Sequence, residues 1–241
     1  MRPETLSVLT PPNGGPGGVV DRIKEYILAN GLHPGDPLPT ENELSEQLQV
    51  SRSRIREAVK TLSALDIVEV RHGYGTYVGQ MSMRAMVESL AFRGMLGAED
   101  DLHVFAELVD FRELIETSLA GSIIERLTPQ AALTMRRLTA TMAEKAARGD
   151  EFPAEDREFH LILVQTTGNT LAVDLTGAFW DVHALAARSL GPADDLPTTV
   201  DAHIAIVDAI EAGDPEQLRA AIRAHYVPVR ERMKRRTSQP A

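Results

Sequence analysis

Asp156 and His160 stand four residues apart, a spacing that turns two side chains the same way on one helix. His203 and His225 follow on two later segments, twenty-two residues from each other. Three imidazoles and one carboxylate converging inside a helical bundle suit one divalent transition metal per chain, Zn²⁺ before Ni²⁺ or Mn²⁺. Spacing alone leaves a second reading open: Asp–His pairs at this spacing also arise on solvated helix faces, and single helical histidines serve packing. The chain has no cysteine. That leaves His and Asp as its ligands for such a metal. It also excludes a disulfide framework, a Cys-ligated zinc finger, an iron–sulfur cluster and a thiol nucleophile.

A second set of residues offers different chemistry. Arg52, Arg56 and Lys60 recur at every fourth position on one side of a segment whose other side carries Ile55, Ala58, Val59, Leu62 and Leu65. Between Val50 and Leu62 the basic residues Arg52, Arg54, Arg56 and Lys60 face one acid, Glu57. Arginine in a first helical turn opposes the helix dipole, so Arg52 and Arg54 are not there to stabilise the helix. Arginine does pair two-pronged with guanine and clamp phosphates. The bland alternative is a solvated basic face.

The elements that must position these residues can be read from caps, breakers and period. Of 241 residues, 43% are hydrophobic and 5% aromatic, which fits a packed, mainly helical protein with a Leu, Ile, Val and Ala core. Residues 1–18, with their Pro and Gly runs, read as a flexible tail. Helical spacing begins at Val19 and stops at Gly31. Thr40-Glu41-Asn42-Glu43 is a capping box for a short helix ending near Leu48. Ser51 caps a third helix reaching about Leu65. Ile67–Val70 and Thr76–Val78 read as two short strands joined by His72-Gly73-Tyr74-Gly75. After Gly79 the pattern is helical throughout, in about seven segments, the last running from Pro215 to Arg236. The fold class is therefore mainly α: a small three-helix unit with a two-stranded ribbon over 19–79, an all-helical domain over 80–236, and a tail at 237–241. No run approaches about 18 apolar residues and no apolar signal core opens the chain, so a cytoplasmic protein without membrane spans is expected.

The motifs of residues 19–79 resemble the winged helix-turn-helix of the GntR family of transcriptional regulators. The resemblance lies in Pro34-Gly35-Asp36-Pro37-Leu38-Pro39-Thr40-Glu41-Asn42-Glu43-Leu44-Ser45, in Val50-Ser51-Arg52, in Arg56-Glu57-Ala58 and in Arg71-His72-Gly73-Tyr74-Gly75-Thr76-Tyr77-Val78. It implies that Arg52 and Arg56, with Ser53 beside them and Gly73 on the wing, contact operator DNA. Lys60 continues that face. Many members carry Arg where this chain has Asn42, whose amide can still bond a base edge or a phosphate.

The helical part is similar to the FCD effector domain of the FadR branch of that family. Val109-Asp110-Phe111-Arg112-Glu113-Leu114-Ile115-Glu116 carries the likeness, as do Asp156-Arg157-Glu158-Phe159-His160 with Gly168-Asn169, and His203 through Ile210 with Gly213-Asp214 and His225. In metal-binding members the ligands are an Asp, a His four residues on and two later His, and all four positions are filled here. The resemblance implies that Arg112 meets the carboxylate of a small effector, against the alternative of a surface ion pair with Glu116. Trp180, the single tryptophan, reads as core or as a ligand contact. His33, His72, His103 and His183 match no ligand position. Pro228 should kink the last helix close to His225.

Together these features describe a homodimer, probing the two halves of a short palindrome. It would be a repressor whose grip on DNA is set by a small carboxylate at the metal centre, and not an enzyme. A metal-ion sensor and a helical metalloenzyme with an appended DNA-binding module are the alternatives. The net charge of −10 speaks against nucleic acid only until it is divided. Residues 15–79 hold seven basic and nine acidic side chains, residues 80–236 hold seventeen and twenty-five, and most of the acidity lies in the helical domain.

Overall fold

A computed structural model describes residues 16–96, 101–190 and 195–237. The chain divides into two compact units between Ala85 and Met86.

The first unit holds α1 (Pro16–Ala29), α2 (Glu41–Leu48), α3 (Arg52–Ala64), β1 (Val68–Arg71) and β2 (Gly75–Val78). Residues 1–15 of the expected tail lie outside the described residues. Its last three, Pro16, Gly17 and Gly18, are helical instead: proline suits a first helical position, where its missing N–H is not needed. The capping box forms as read. Thr40 Oγ1 accepts from the Glu43 amide, and the Glu43 carboxylate accepts from the Thr40 amide at 2.8 Å. Gln49 closes α2 in a left-handed conformation (φ 49°), and Ser51 caps α3. The apolar stripes meet in one core of Ile23, Leu44, Leu48, Ile55, Leu62, Val68 and Val78. The strands pair antiparallel, Val68 opposite Val78 and Arg71 opposite Gly75. At Gly79 the chain passes so close to the residues before β1 that a Cβ would stand 2.2 Å from the Asp66 carbonyl oxygen, so only glycine fits.

The second unit is helical among its described residues: α4 (Arg84–Leu96), α5 (Asp101–Arg126), α6 (Pro129–Ala147), α7 (Pro153–Gln165), α8 (Thr170–Leu190), α9 (Leu196–Ala212), α10 (Pro215–His225) and α11 (Val227–Thr237). Prolines stand in the first turns of α6, α7, α9 and α10, with Thr128, Asp195 and Asp214 as side-chain caps. The seventh predicted segment is two helices. Pro228 has no N–H to bond the Ala224 carbonyl, and its ring crowds that oxygen, so α10 stops at His225 and α11 restarts at Val227. Residues 238–241 of the expected tail lie outside the described residues. Helix α5 runs through the unit, packing on α7, α8, α10 and α11, while α9 joins α6 to α10. Phe105, Val109, Ala120, Ile123, Phe159, Leu163, Ile206 and Ile222 belong to the shared core. Among the described residues no helix is long and apolar enough to cross a membrane.

Candidate functional site

Helix α3 carries the basic residues as the wheel requires. Ile55, Ala58, Val59 and Leu62 are buried, and Arg52, Ser53, Arg56 and Lys60 are exposed. Asn42 is exposed in the first turn of α2, and Gly73, at φ 82°, is exposed in the turn between β1 and β2. Arg56 donates to the Glu41 carboxylate at 2.9 Å, which ties α3 to the start of α2 beside Asn42. Lys60 donates to Glu57, also at 2.9 Å. These contacts are solvent-exposed and weak, so either base can exchange its carboxylate for a phosphate or base edge.

The helical unit brings the other constellation together. Asp156 lies in the first turn of α7, where the helix dipole favours a carboxylate, and His160 one turn on. His203 comes from α9 and His225 from the last position of α10. One ligand atom from each of these four lies within 4.8 Å of the other three. The Asp156 Oδ1 atom is 2.9 Å from His203 Nε2 and 3.3 Å from His160 Nε2, and His160 Nε2 is 3.1 Å from His225 Nε2. His160 and His203 are fully buried. Metal bonds of about 2.0–2.2 Å put neighbouring ligand atoms roughly 3–3.5 Å apart, close to these spacings.

The outer hydrogen bonds test whether a cation fits. His203 Nδ1 lies 2.7 Å from the Thr199 carbonyl oxygen. A carbonyl only accepts, so this nitrogen carries a proton, and a neutral His203 presents the Nε2 lone pair to Asp156. Carboxylate and imidazole lone pairs at 2.9 Å repel unless a cation or a proton lies between them. The residues therefore fit a metal. Protons supply the positive charge otherwise. Burial opposes a charged His160, but Glu116 and Asp156 outweigh it and push its pKa up to about 9. Burial likewise opposes ionised Asp156, yet His203 and His160 hold it well below the usual carboxylate range. Burial, then the nearby His203 and His160, drives His225 well below the ordinary imidazole value.

Next to the cluster stands a group of side chains that the sequence showed only in part. Arg112 is buried, so the alternative of a surface ion pair with Glu116 fails. Its guanidinium carbon stands 3.9 Å over the Trp180 ring and 5.4 Å from that of Tyr226, and its Nη1 is 3.4 Å from His183 Nδ1. Burial, then the charge of Arg112, lowers the His183 pKa to about 4. His183 is thus neutral at pH 7 and can accept from Arg112. Trp180 is buried too, with its ring 5.6 Å from that of His160. Arg112 Nε and Trp180 Nε1 are buried N–H donors with no acceptor. Such orphans are costly and point to a missing acceptor. His33, His72 and His103 lie outside this cluster: His33 is beside Asp36, His72 is exposed on the ribbon, and His103 is beside Glu107.

Sequence reasoning missed Glu116, His183 and Tyr226 as neighbours of the site. Each had a signal. Glu116 is four residues from Arg112 along a stripe that is otherwise apolar, His183 is three from Trp180, and Tyr226 adjoins His225.

Comparison with known proteins places both units. The model of bacterial regulatory proteins of the gntR family matches residues 17–78, and that of the FCD domain matches residues 107–227. The HTH-type transcriptional regulator LutR of Bacillus subtilis is 28% identical over 210 residues, 84% of this chain and 94% of its own. The galactonate operon transcriptional repressor of Escherichia coli K12 is 25% identical over 198 residues, 81% of this chain and 86% of its own. A solved structure of a Streptococcus agalactiae GntR protein superposes with a TM-score of 0.68 at 28% identity, covering 90% of this chain and 99% of that one.

Proposed function

The chain belongs to the gntR family of bacterial regulatory proteins and carries an FCD domain, and from that premise we propose that it represses transcription under the control of a small carboxylate bound at a metal centre. Its family and relatives are transcriptional regulators, not enzymes. Residues 19–79 are the DNA-binding domain in this reading, and 80–236 the effector-binding and dimerisation domain.

The observation that carries the reading is the pairing of two features. One is the convergence of three imidazole Nε2 atoms and Asp156 Oδ1. The other is the pair of buried N–H donors without an acceptor beside them, Arg112 Nε and Trp180 Nε1. Asp156, His160, His203 and His225 would hold one divalent transition ion, Zn²⁺ before Ni²⁺ or Mn²⁺ given an all-N/O donor set. Bound there, the ion supplies Lewis-acid attraction for a carboxylate oxygen. Arg112 pairs the charge of that carboxylate in a buried setting where a charge-assisted hydrogen bond is strong. Trp180 Nε1–H offers a second donor and its ring a wall. Neutral His183 holds Arg112 in place without adding charge. The name of one relative ties it to the galactonate operon, and galactonate is a carboxylate.

At the DNA, Arg52 and Arg56 read base edges or clamp phosphates, helped by Ser53, Asn42 and Lys60, while Gly73 lets the wing backbone approach closely. As a cytoplasmic homodimer the protein would present two α3 helices to half-sites about 34–36 Å apart. Effector binding needs to couple to DNA by only about 1.4 kcal/mol to change operator affinity tenfold.

Metal analysis of purified protein tests this first. About one transition ion per chain is expected, lost in the His160→Ala/His203→Ala double variant. On loaded protein, a panel of small carboxylates should contain at least one that raises the melting temperature by mass action. No ion after metal supplementation, or no stabilising carboxylate, rejects the reading.

A further inference from the structure

One carboxylate lies inside the helical bundle without belonging to the ligand set. Glu116, on α5, is 1% exposed. Arg112 stands one turn earlier on the same helix, but its guanidinium turns to Trp180 and His183. Glu116 Oε1 is 2.8 Å from His160 Nδ1 and accepts from the Tyr226 hydroxyl at 2.9 Å, while Oε2 is buried without a partner. An ionised carboxylate in a core costs several kcal/mol unless it is well compensated. A leucine would continue the apolar stripe of Phe105, Val109, Ala120 and Ile123 at no such cost.

We propose that Glu116 is a positioning residue for the metal centre, fixing His160 through Nδ1 and the end of α10 through Tyr226. The inference rests on the four-ligand reading above. A carboxylate facing Nδ1 keeps the proton on that nitrogen and leaves the Nε2 lone pair free. It also opposes a ring flip, which would put Cε1 where Nε2 now faces Asp156 and His225. Outer-shell carboxylates of this kind orient a ligand and raise its basicity. The second contact extends the effect. Tyr226 follows His225 at the junction of α10 and α11, and its hydroxyl ties that junction to α5. Helix α5 supplies none of the four ligands, yet one of its oxygens touches the ligand from α7 and the neighbour of the ligand from α10.

The test titrates Co²⁺ into metal-free protein against a competing chelator, for wild type, Glu116→Gln, Glu116→Ala and Tyr226→Phe. Glu116→Gln keeps an oxygen that can accept from His160 but loses the charge, and should weaken Co²⁺ binding about tenfold. Glu116→Ala should approach a hundredfold loss. Tyr226→Phe should lose less than either. Ring-nitrogen NMR of Zn²⁺-loaded protein adds a readout that general destabilisation would not move. The His160 Nδ1–H resonance should shift in Glu116→Gln, while that of His203, held by Thr199, stays. If Glu116→Ala does not fold, Glu116→Gln decides. Glu116 variants within twofold of wild type, with His160 unshifted, overturn the inference while leaving the ligand set intact. A wild type that takes up no Co²⁺ overturns the ligand set and this inference with it.

Discussion

Metal uptake at this site should release a proton at pH 7 and stop doing so above pH 9. Without an ion, burial disfavours a charged His160, but Glu116 and Asp156 prevail and its pKa is pushed up to about 9. At pH 7 the ring is therefore protonated in the folded, metal-free protein, and a metal at Nε2 must displace that proton. Between pH 7 and 9 the apparent affinity should therefore rise about tenfold per pH unit, roughly a hundredfold in all, then level off. The metal-free fold has the opposite dependence. A histidine whose folded pKa exceeds its ordinary value of 6.5 adds stability that is fully present below pH 6.5 and lost as pH rises through 9. That loss is on the order of 3 kcal/mol. Chelator-treated protein should thus melt progressively lower from pH 6.5 to 9, while the gap between loaded and chelated protein widens. Calorimetric titration at pH 7 in two buffers of different ionisation enthalpy counts the protons directly, about one per metal. Zero protons released at pH 7, with tight binding, would show that His160 is already neutral and that Glu116 and Asp156 do not act on it as described.

Four further outcomes concern other residues of the chain. Arg52→Ala combined with Arg56→Ala should weaken binding to a selected operator at least tenfold at fixed salt, since each good base contact is worth about 1–3 kcal/mol; unchanged fluorescence anisotropy curves would remove α3 as the reading helix. Arg112→Met should abolish calorimetric binding of a stabilising carboxylate while leaving the metal content intact, and equal binding to wild type would reject that arginine as the charge partner. Gly79→Ala should destabilise the winged-helix unit by about 2 kcal/mol or more, because its Cβ would meet backbone at 2.2 Å. Gly73→Ala, at φ 82° but in open space, should cost about 1 kcal/mol. Hydrogen exchange of the β1–β2 amides separates the two, and equal protection in both variants would contradict the close approach.

Local rules made most of the architecture readable. Thr40, Ser51 and Thr128 cap their helices as their neighbours require, because capping is decided within four residues. The kink expected at Pro228 is a division into α10 and α11, because proline lacks the N–H that would bond the Ala224 carbonyl and continue the helix. The pair Asp156 and His160 was legible from spacing on one helix. Its union with His203 and His225 depends on how α7, α9 and α10 pack, which no spacing along the chain encodes.

The stripe of α5 shows where sequence reasoning stopped short and how it could have gone further. Phe105, Val109, Arg112, Glu116, Ala120 and Ile123 recur at steps of four or three, and all six are buried. Arg112 and Glu116 interrupt an otherwise apolar seam with opposite charges four apart. Taken as a helix-surface ion pair, they look ordinary, because that spacing commonly marks a solvated pair. Their phase on the seam argues the reverse. A residue in phase with Phe105 and Ile123 faces the core, and a core charge that does not pair with its own neighbour must answer another charge or a ligand. Here each member is turned away from the other: Glu116 to His160 and Tyr226, Arg112 to Trp180 and His183. Helical phase, rather than spacing between the two charges, is therefore the signal that separates a buried functional pair from a surface one.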